Sequence, residues 1–146
     1  MVGADEAFDR RRRVVVCESG LGQYGQVAVS RRHVVTADEP VGLGGMDSGP
    51  DPVELMMTSL AACTAMTMRM YANRRQAEVG KITVIVEHEM AARSGRDADY
   101  FLKTVYFEPE VEPPLAERLL QIADRCPVHQ ILAGTPVIET QLGSDA

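Results

Sequence analysis

The reactive chemistry of this 146-residue chain rests on three cysteines, Cys17, Cys63 and Cys126. Cys126 directly precedes Pro127, at the start of a predicted helical turn, where free backbone N–H groups favour an anion. Arg125 adds a neighbouring positive charge, and both effects favour thiolate, the nucleophilic and oxidisable form. Cys63 lies mid-helix, sharing a face with Ser59, Leu60, Met66 and Thr67, with Met56 and Met70 a turn further away. By itself such apolar company makes a thiol core filler. Cys17, between Val16 and Glu18, reads as a structural strand residue.

Three arrangements could use Cys63 and Cys126. A metal centre needs three or four ligands. Cys126 and His129 have Cys-x-x-His spacing and Cys63 could join them, but no second ligand pair completes the set, so neither metal nor other cofactor is expected. A Cys-His hydrolase would draw on His33, His88 or His129, yet nothing marks an oxyanion hole. A dithiol redox couple asks only for two sulfurs that can meet: one attacks an oxidant and becomes sulfenic acid, and the other condenses with it to a disulfide.

The elements that must position these residues follow from the pattern. Arg12–Glu18, Gln26–Ser30 and His33–Ala37 are β-branched and read as an antiparallel meander, with the glycine-rich turn 20–25 after the first strand. Breakers fill 38–52. A helix then starts abruptly. Asp51 is the predicted N-cap, Pro52 suits the first helical position, and Glu54 completes a capping box, with the helix running to about Arg75. Between Val53 and Met68, 11 of 16 residues are Val, Leu, Met, Ala or Cys, so the helix is apolar almost all round. Lys81–Glu89 and Asp99–Glu112 read as a hairpin with its tip at 94–97. Leu115–Arg125 is an amphipathic helix with Leu115, Leu119, Leu120, Ile122 and Ala123 on one side. Val128–Leu132 adds a helical turn stopped by Gly134, and Pro136–Gln141 reads as a last strand. The order β-β-β-α-β-β-α-β defines an α+β domain with helices on antiparallel sheet. A single sheet layer covers one face of a helix. An all-round apolar helix therefore points to a homodimer in which a second chain supplies the missing cover, the alternative being a monomer whose second helix sandwiches the first.

Composition sets the bounds. Hydrophobic residues at 45% and charged residues at 25% exclude disorder for the body of the chain and fit one domain over 10–146, with 1–9 a loose tail. Fifteen Lys and Arg against 21 Asp and Glu give a net charge of −6, which disfavours nucleic acid as a partner. The run Arg10–Arg13 reads as a solvated strand entrance. Residues 1–9 lack the basic start and apolar run of a signal peptide, and the uncharged stretch 55–68 is too short to span a bilayer, so a cytoplasmic protein with no membrane partner is expected. An odd, small number of cysteines does not read as a disulfide framework.

The stretch GGMDSGPDPVELMMTSLAACTAMTMRMYANR (44–74), followed by IADRCPVHQIL (122–132), resembles the OsmC/Ohr family of osmotically inducible and organic hydroperoxide resistance proteins. Its marks are Pro52-x-Glu54-Leu55, Ala61-Ala62-Cys63 and Cys126-Pro127-Val128-His129. The resemblance implies an OsmC-like fold in an intertwined homodimer, with sheets from both chains wrapping two central helices. It also implies a thiol peroxidase for organic hydroperoxides, with Cys63 attacking, Cys126 resolving, and a dithiol reductant recycling the pair. Glu54 and His129 are supporting candidates. Hydroperoxide-resistance members carry an acid directly after the helix-starting proline and an arginine in the first hairpin loop. Here Val53 follows Pro52, Glu54 sits one place later and is better suited to capping, and Gln23 and Tyr24 occupy the loop. Arg31, Arg32 and Arg69 are not spaced to replace that arginine. The chain thus resembles the OsmC-like branch, for which the alternative function is binding of an apolar small molecule, or redox sensing, without efficient turnover.

Overall fold

The computed structural model describes residues 12–93 and 95–143; the expected 1–9 tail lies outside them. The chain divides into two compact units, with the boundary between Leu55 and Met56.

In the first unit, β1 (Val15–Glu18), β2 (Gln26–Ser30) and β3 (His33–Ala37) form an antiparallel sheet in the order β1-β2-β3. The register pairs Cys17 with Val27 and Ala28 with Val35. β1 is shorter than the sequence pattern suggests, starting at Val15 rather than Arg12, and Cys17 is exposed on it. The breaker-rich segment that follows is organised by Asp38, which is buried. Its carboxylate accepts from the Glu39, Met46 and Ser48 backbone amides at 2.8, 3.1 and 3.2 Å and from the Ser48 hydroxyl at 2.8 Å. The Ser48 hydroxyl is the main reason the Asp38 pKa lies below the ordinary 3.8, against the opposing effect of burial. The segment delivers the chain to α1 (Pro52–Arg74), which starts with a reciprocal cap. The Glu54 amide donates to Asp51 Oδ1 at 2.8 Å, and the Asp51 amide donates to Glu54 Oε2 at 2.9 Å.

In the second unit, β4 (Lys81–Arg93) and β5 (Arg96–Glu108) form a long hairpin in which Lys81 pairs with Glu108 and Val86 with Lys103. Its strands extend further toward the tip than the sequence suggests. The tight turn holds Gly95 at φ 78°, a left-handed conformation that glycine adopts without steric cost. β5 ends at Glu108 rather than Glu112, just before Pro109, which has no N–H to continue a ladder. α2 (Pro113–Ala123) and α3 (Pro127–Ala133) follow. The core is Met68 and Ala72 of α1, Val79, and Leu119 and Ala123 of α2, with Ile82, Val84, Val105 and Phe107 of the hairpin packed against it. Leu120, expected on the same side of α2, is exposed.

Two features remain, the cover of α1 and the expected last strand. α1 buries only Leu60, Thr64, Met68 and Ala72, one stripe at four-residue spacing. Its Met66 and Met70 are 60% and 57% exposed, because a single chain covers only that stripe. The last strand, Pro136–Gln141, does not form: residues 135–143 carry neither helix nor strand. A strand exists by pairing, and among the described residues no ladder includes this segment.

Candidate functional site

α1 and the α2–α3 junction bring the two cysteine motifs to one region of the second unit. α2 closes at Ala123, with Asp124 as its C-cap, and the Cys126 amide donates back to the Ala123 carbonyl at 3.4 Å. Cys126 is the N-cap of α3 with extended backbone (φ −64°, ψ 142°), and Pro127 takes the first helical position, where its missing N–H costs nothing. The Cys126 side chain is fully buried. Its sulfur accepts from the His129 backbone amide at 3.3 Å and lies 3.5 Å from the Thr64 hydroxyl of α1.

Thr64 is the residue after Cys63. α1 therefore places the Cys63 backbone one residue from the group that touches the Cys126 sulfur. The Cys63 side chain is half-buried, on the flank of α1 next to the core-facing stripe. Both thiols are free.

The supporting candidates have partners of their own. Glu54 serves the helix cap. His129 meets Cys126 through its main chain, while its ring faces away: Nδ1 lies 2.9 Å from Lys103 Nζ and 3.6 Å from Asp124 Oδ1. His88 pairs with Asp99 at 2.9 Å and stacks on Phe101. Arg69 donates to the Gly80 carbonyl. Among the described residues no three His, Cys, Asp or Glu side chains converge as a metal site.

Thr64, Lys103 and Asp124 are not singled out by the sequence. Lys103 carried a usable signal. Strand alternation puts it on the same face of β5 as Phe101, Val105 and Phe107, where a charge needs partners. Thr64 carried a weaker one, as a hydroxyl within the Leu60–Met68 stripe.

The sequence profile of OsmC-like proteins matches residues 45–141, a span that holds both cysteine motifs. No curated protein matches the chain. Among solved structures, an osmotic stress induced and detoxification response protein from Psychrobacter arcticus is similar, with TM-score 0.71 and 22% identity over 86% of this chain and 90% of that one. An OsmC-like protein from Mycoplasma pneumoniae gives TM-score 0.65 and 20% identity over 86% and 89%. The organic hydroperoxide resistance protein OhrB of Bacillus subtilis gives 0.59 and 18% over 85% and 91%. At these identities the likeness establishes the fold, an α+β arrangement with antiparallel sheets. No helix of the described residues is long and apolar enough to cross a membrane.

Proposed function

Because the chain belongs to the OsmC-like protein family, associated with osmotic stress and hydroperoxide resistance, we propose that it is a thiol peroxidase that reduces organic hydroperoxides through Cys63 and Cys126. The observation that carries this reading is the contact of the Cys126 sulfur with Thr64, the neighbour of Cys63. Cys63 is the more accessible of the two thiols, which suits it to meet substrate first. Its thiolate attacks the hydroperoxide; an S–O bond forms, the O–O bond breaks, and the alcohol leaves with a proton. Cys126 then attacks the sulfenic acid, forming the disulfide and releasing water. A dithiol reductant takes up the disulfide by exchange and returns both thiols. The chemistry calls for a reducing compartment such as the cytoplasm.

The active form in this reading is a homodimer. Met66 and Met70 flank Cys63 on the uncovered side of α1, and Val137, Ile138 and Leu142 are almost wholly exposed. A second copy covering these side chains would build an apolar surround for a hydrocarbon tail.

A second reading is favoured by the setting of Cys126. A fully buried thiol resolves slowly, and the loop residues Gln23 and Tyr24 bring no cation. The fold would then hold an apolar ligand or sense oxidant without efficient turnover. Steady-state reduction of cumene hydroperoxide with a dithiol reductant separates the readings. We expect Cys63→Ser to lose activity by about 100-fold or more, and Cys126→Ser to stop after one equivalent. Full activity in Cys63→Ser overturns the peroxidase. Thiols that stay reduced under peroxide, with an apolar molecule co-purifying, favour the second reading.

A further inference from the structure

α3 has seven residues, none of them buried, and is too short to hold its shape alone. It nevertheless carries the amide that fixes the Cys126 sulfur. Its anchorage is polar, and Lys103 is at its centre. From the inward face of β5, Nζ donates to the Ala123 carbonyl at 3.0 Å and to His129 Nδ1 at 2.9 Å, and pairs with Asp124 Oδ1 at 3.3 Å. These partners stand on both sides of Cys126–Pro127, so one ammonium spans the turn. Gln130 adds a tie within the junction, its side-chain amide donating to the Asp124 carbonyl at 2.9 Å. The Lys103 side chain is 11% exposed, and three partners match its three N–H donors. An ammonium can only donate, so His129 Nδ1 must accept and the ring proton belongs on Nε2.

We propose that Lys103 is a positioning residue for joining Cys126 to Cys63, an inference that rests on the redox pairing argued above. To reach Cys63, the Cys126 sulfur must leave the Thr64 hydroxyl and the His129 amide. With those contacts gone, no fully buried apolar side chain of α3 keeps the turn in place. Lys103 keeps residues 123, 124 and 129 fixed while the sulfur swings, so the thiol stays at high effective concentration beside the sulfenic acid. The step itself is Cys63–SOH plus Cys126–SH giving the disulfide and water. Lys103 touches neither sulfur and does not assist the first attack.

The test follows disulfide formation in the full chain after one equivalent of cumene hydroperoxide, and in parallel after diamide, with dimedone trapping the sulfenic acid and mass spectrometry reading both. In Lys103→Met we expect Cys63 oxidation within about two-fold of wild type, but roughly ten-fold slower disulfide closure and a longer-lived sulfenic acid. Diamide closure should slow in parallel, and Lys103→Arg should recover part of the rate because it keeps a donor charge. Wild-type closure rates in Lys103→Met overturn the proposal and leave the peroxidase standing. Closure with diamide but not with hydroperoxide overturns the peroxidase, while the diamide rates still decide the role of Lys103. A wild type that never pairs the two cysteines overturns both. Should Lys103→Met not fold, nitrogen-15 spectra of wild-type His129 decide the clamp: Nδ1 unprotonated and Nε2 protonated at neutral pH supports it, and the reverse overturns it.

Discussion

The two compact units are held by different physics. In the first, up to Leu55, Ala37 and Asp38 are the only buried side chains among the described residues, while Val14–Val16, Val34 and Val35 stay exposed. Its order comes from strand ladders, the Asp38 knot and the Asp51–Glu54 cap. The second unit has an apolar core of Met68, Ala72, Val79, Leu119 and Ala123. Hydrogen bonds fix conformation but contribute little net free energy each, whereas buried area contributes more and is indifferent to direction. A unit rich in the first and poor in the second is well shaped and weakly stabilised. In the second unit a cluster of polar ties centred on Lys103 stands at the α2–α3 junction, where α3 adds no residue to the buried core cluster.

The largest effect should follow from damage to the apolar unit. Leu119 is fully buried in the core cluster. Leu119→Ala removes three buried carbons' worth of packing and leaves a cavity, costing about 3 kcal/mol. Urea unfolding measures it. A loss below about 1 kcal/mol would mean that the core collapses around the gap and that the contrast between the units is weaker than drawn.

The Asp38 knot should yield a smaller loss with a pH signature. Its pKa is lowered in the folded chain, chiefly by the Ser48 hydroxyl, so its stabilisation is fully present above the ordinary value of 3.8. It is lost as pH falls through the lower folded value. Asp38→Asn should therefore melt below wild type at neutral pH, by less than Leu119→Ala, and the two melting curves should converge under acid. A gap that stays constant down to the most acid pH at which both fold would show that geometry, not charge, does the work. Ser48→Ala, which removes one of four donors, should lower the melting temperature less.

Much of this arrangement is legible in the sequence, for reasons that divide along the same line. β2, β3 and the cap of α1 are written in local residue types: β-branched runs, a proline at the first helical position, and an Asp and Glu three residues apart. Family membership and the fold were carried by the two cysteine motifs. Asp38 was not legible, and Lys103 only through strand alternation. A carboxylate in a breaker-rich loop looks solvated until its turn closes around it, and a lysine in a strand looks like surface until helices cover that face. Their partners lie up to 10 and 26 residues away, beyond what period and propensity encode. The unformed strand at 136–141 failed for a related reason. Residue types permit a strand, but pairing decides it. Likewise the exposed flank of α1 reflects what one chain can cover, not the pattern of the helix.

The smallest effect sharpens the role of Glu54, which the sequence left between cap and catalysis. In the cap its carboxylate accepts from the Asp51 amide. Gln keeps that acceptor and loses the charge, whereas Ala loses both. Glu54→Ala should cost about 0.5–1 kcal/mol, and Glu54→Gln only a few tenths, with hydroperoxide reduction in Glu54→Gln within about two-fold of wild type. The informative departure is a Glu54→Gln protein that melts like wild type but loses roughly ten-fold in kcat/KM. The missing charge would then matter to the thiol chemistry itself. Since Glu54 sits nine residues before Cys63, on the opposite side of a straight helix, such a charge would act on that thiol at a distance and not by direct contact.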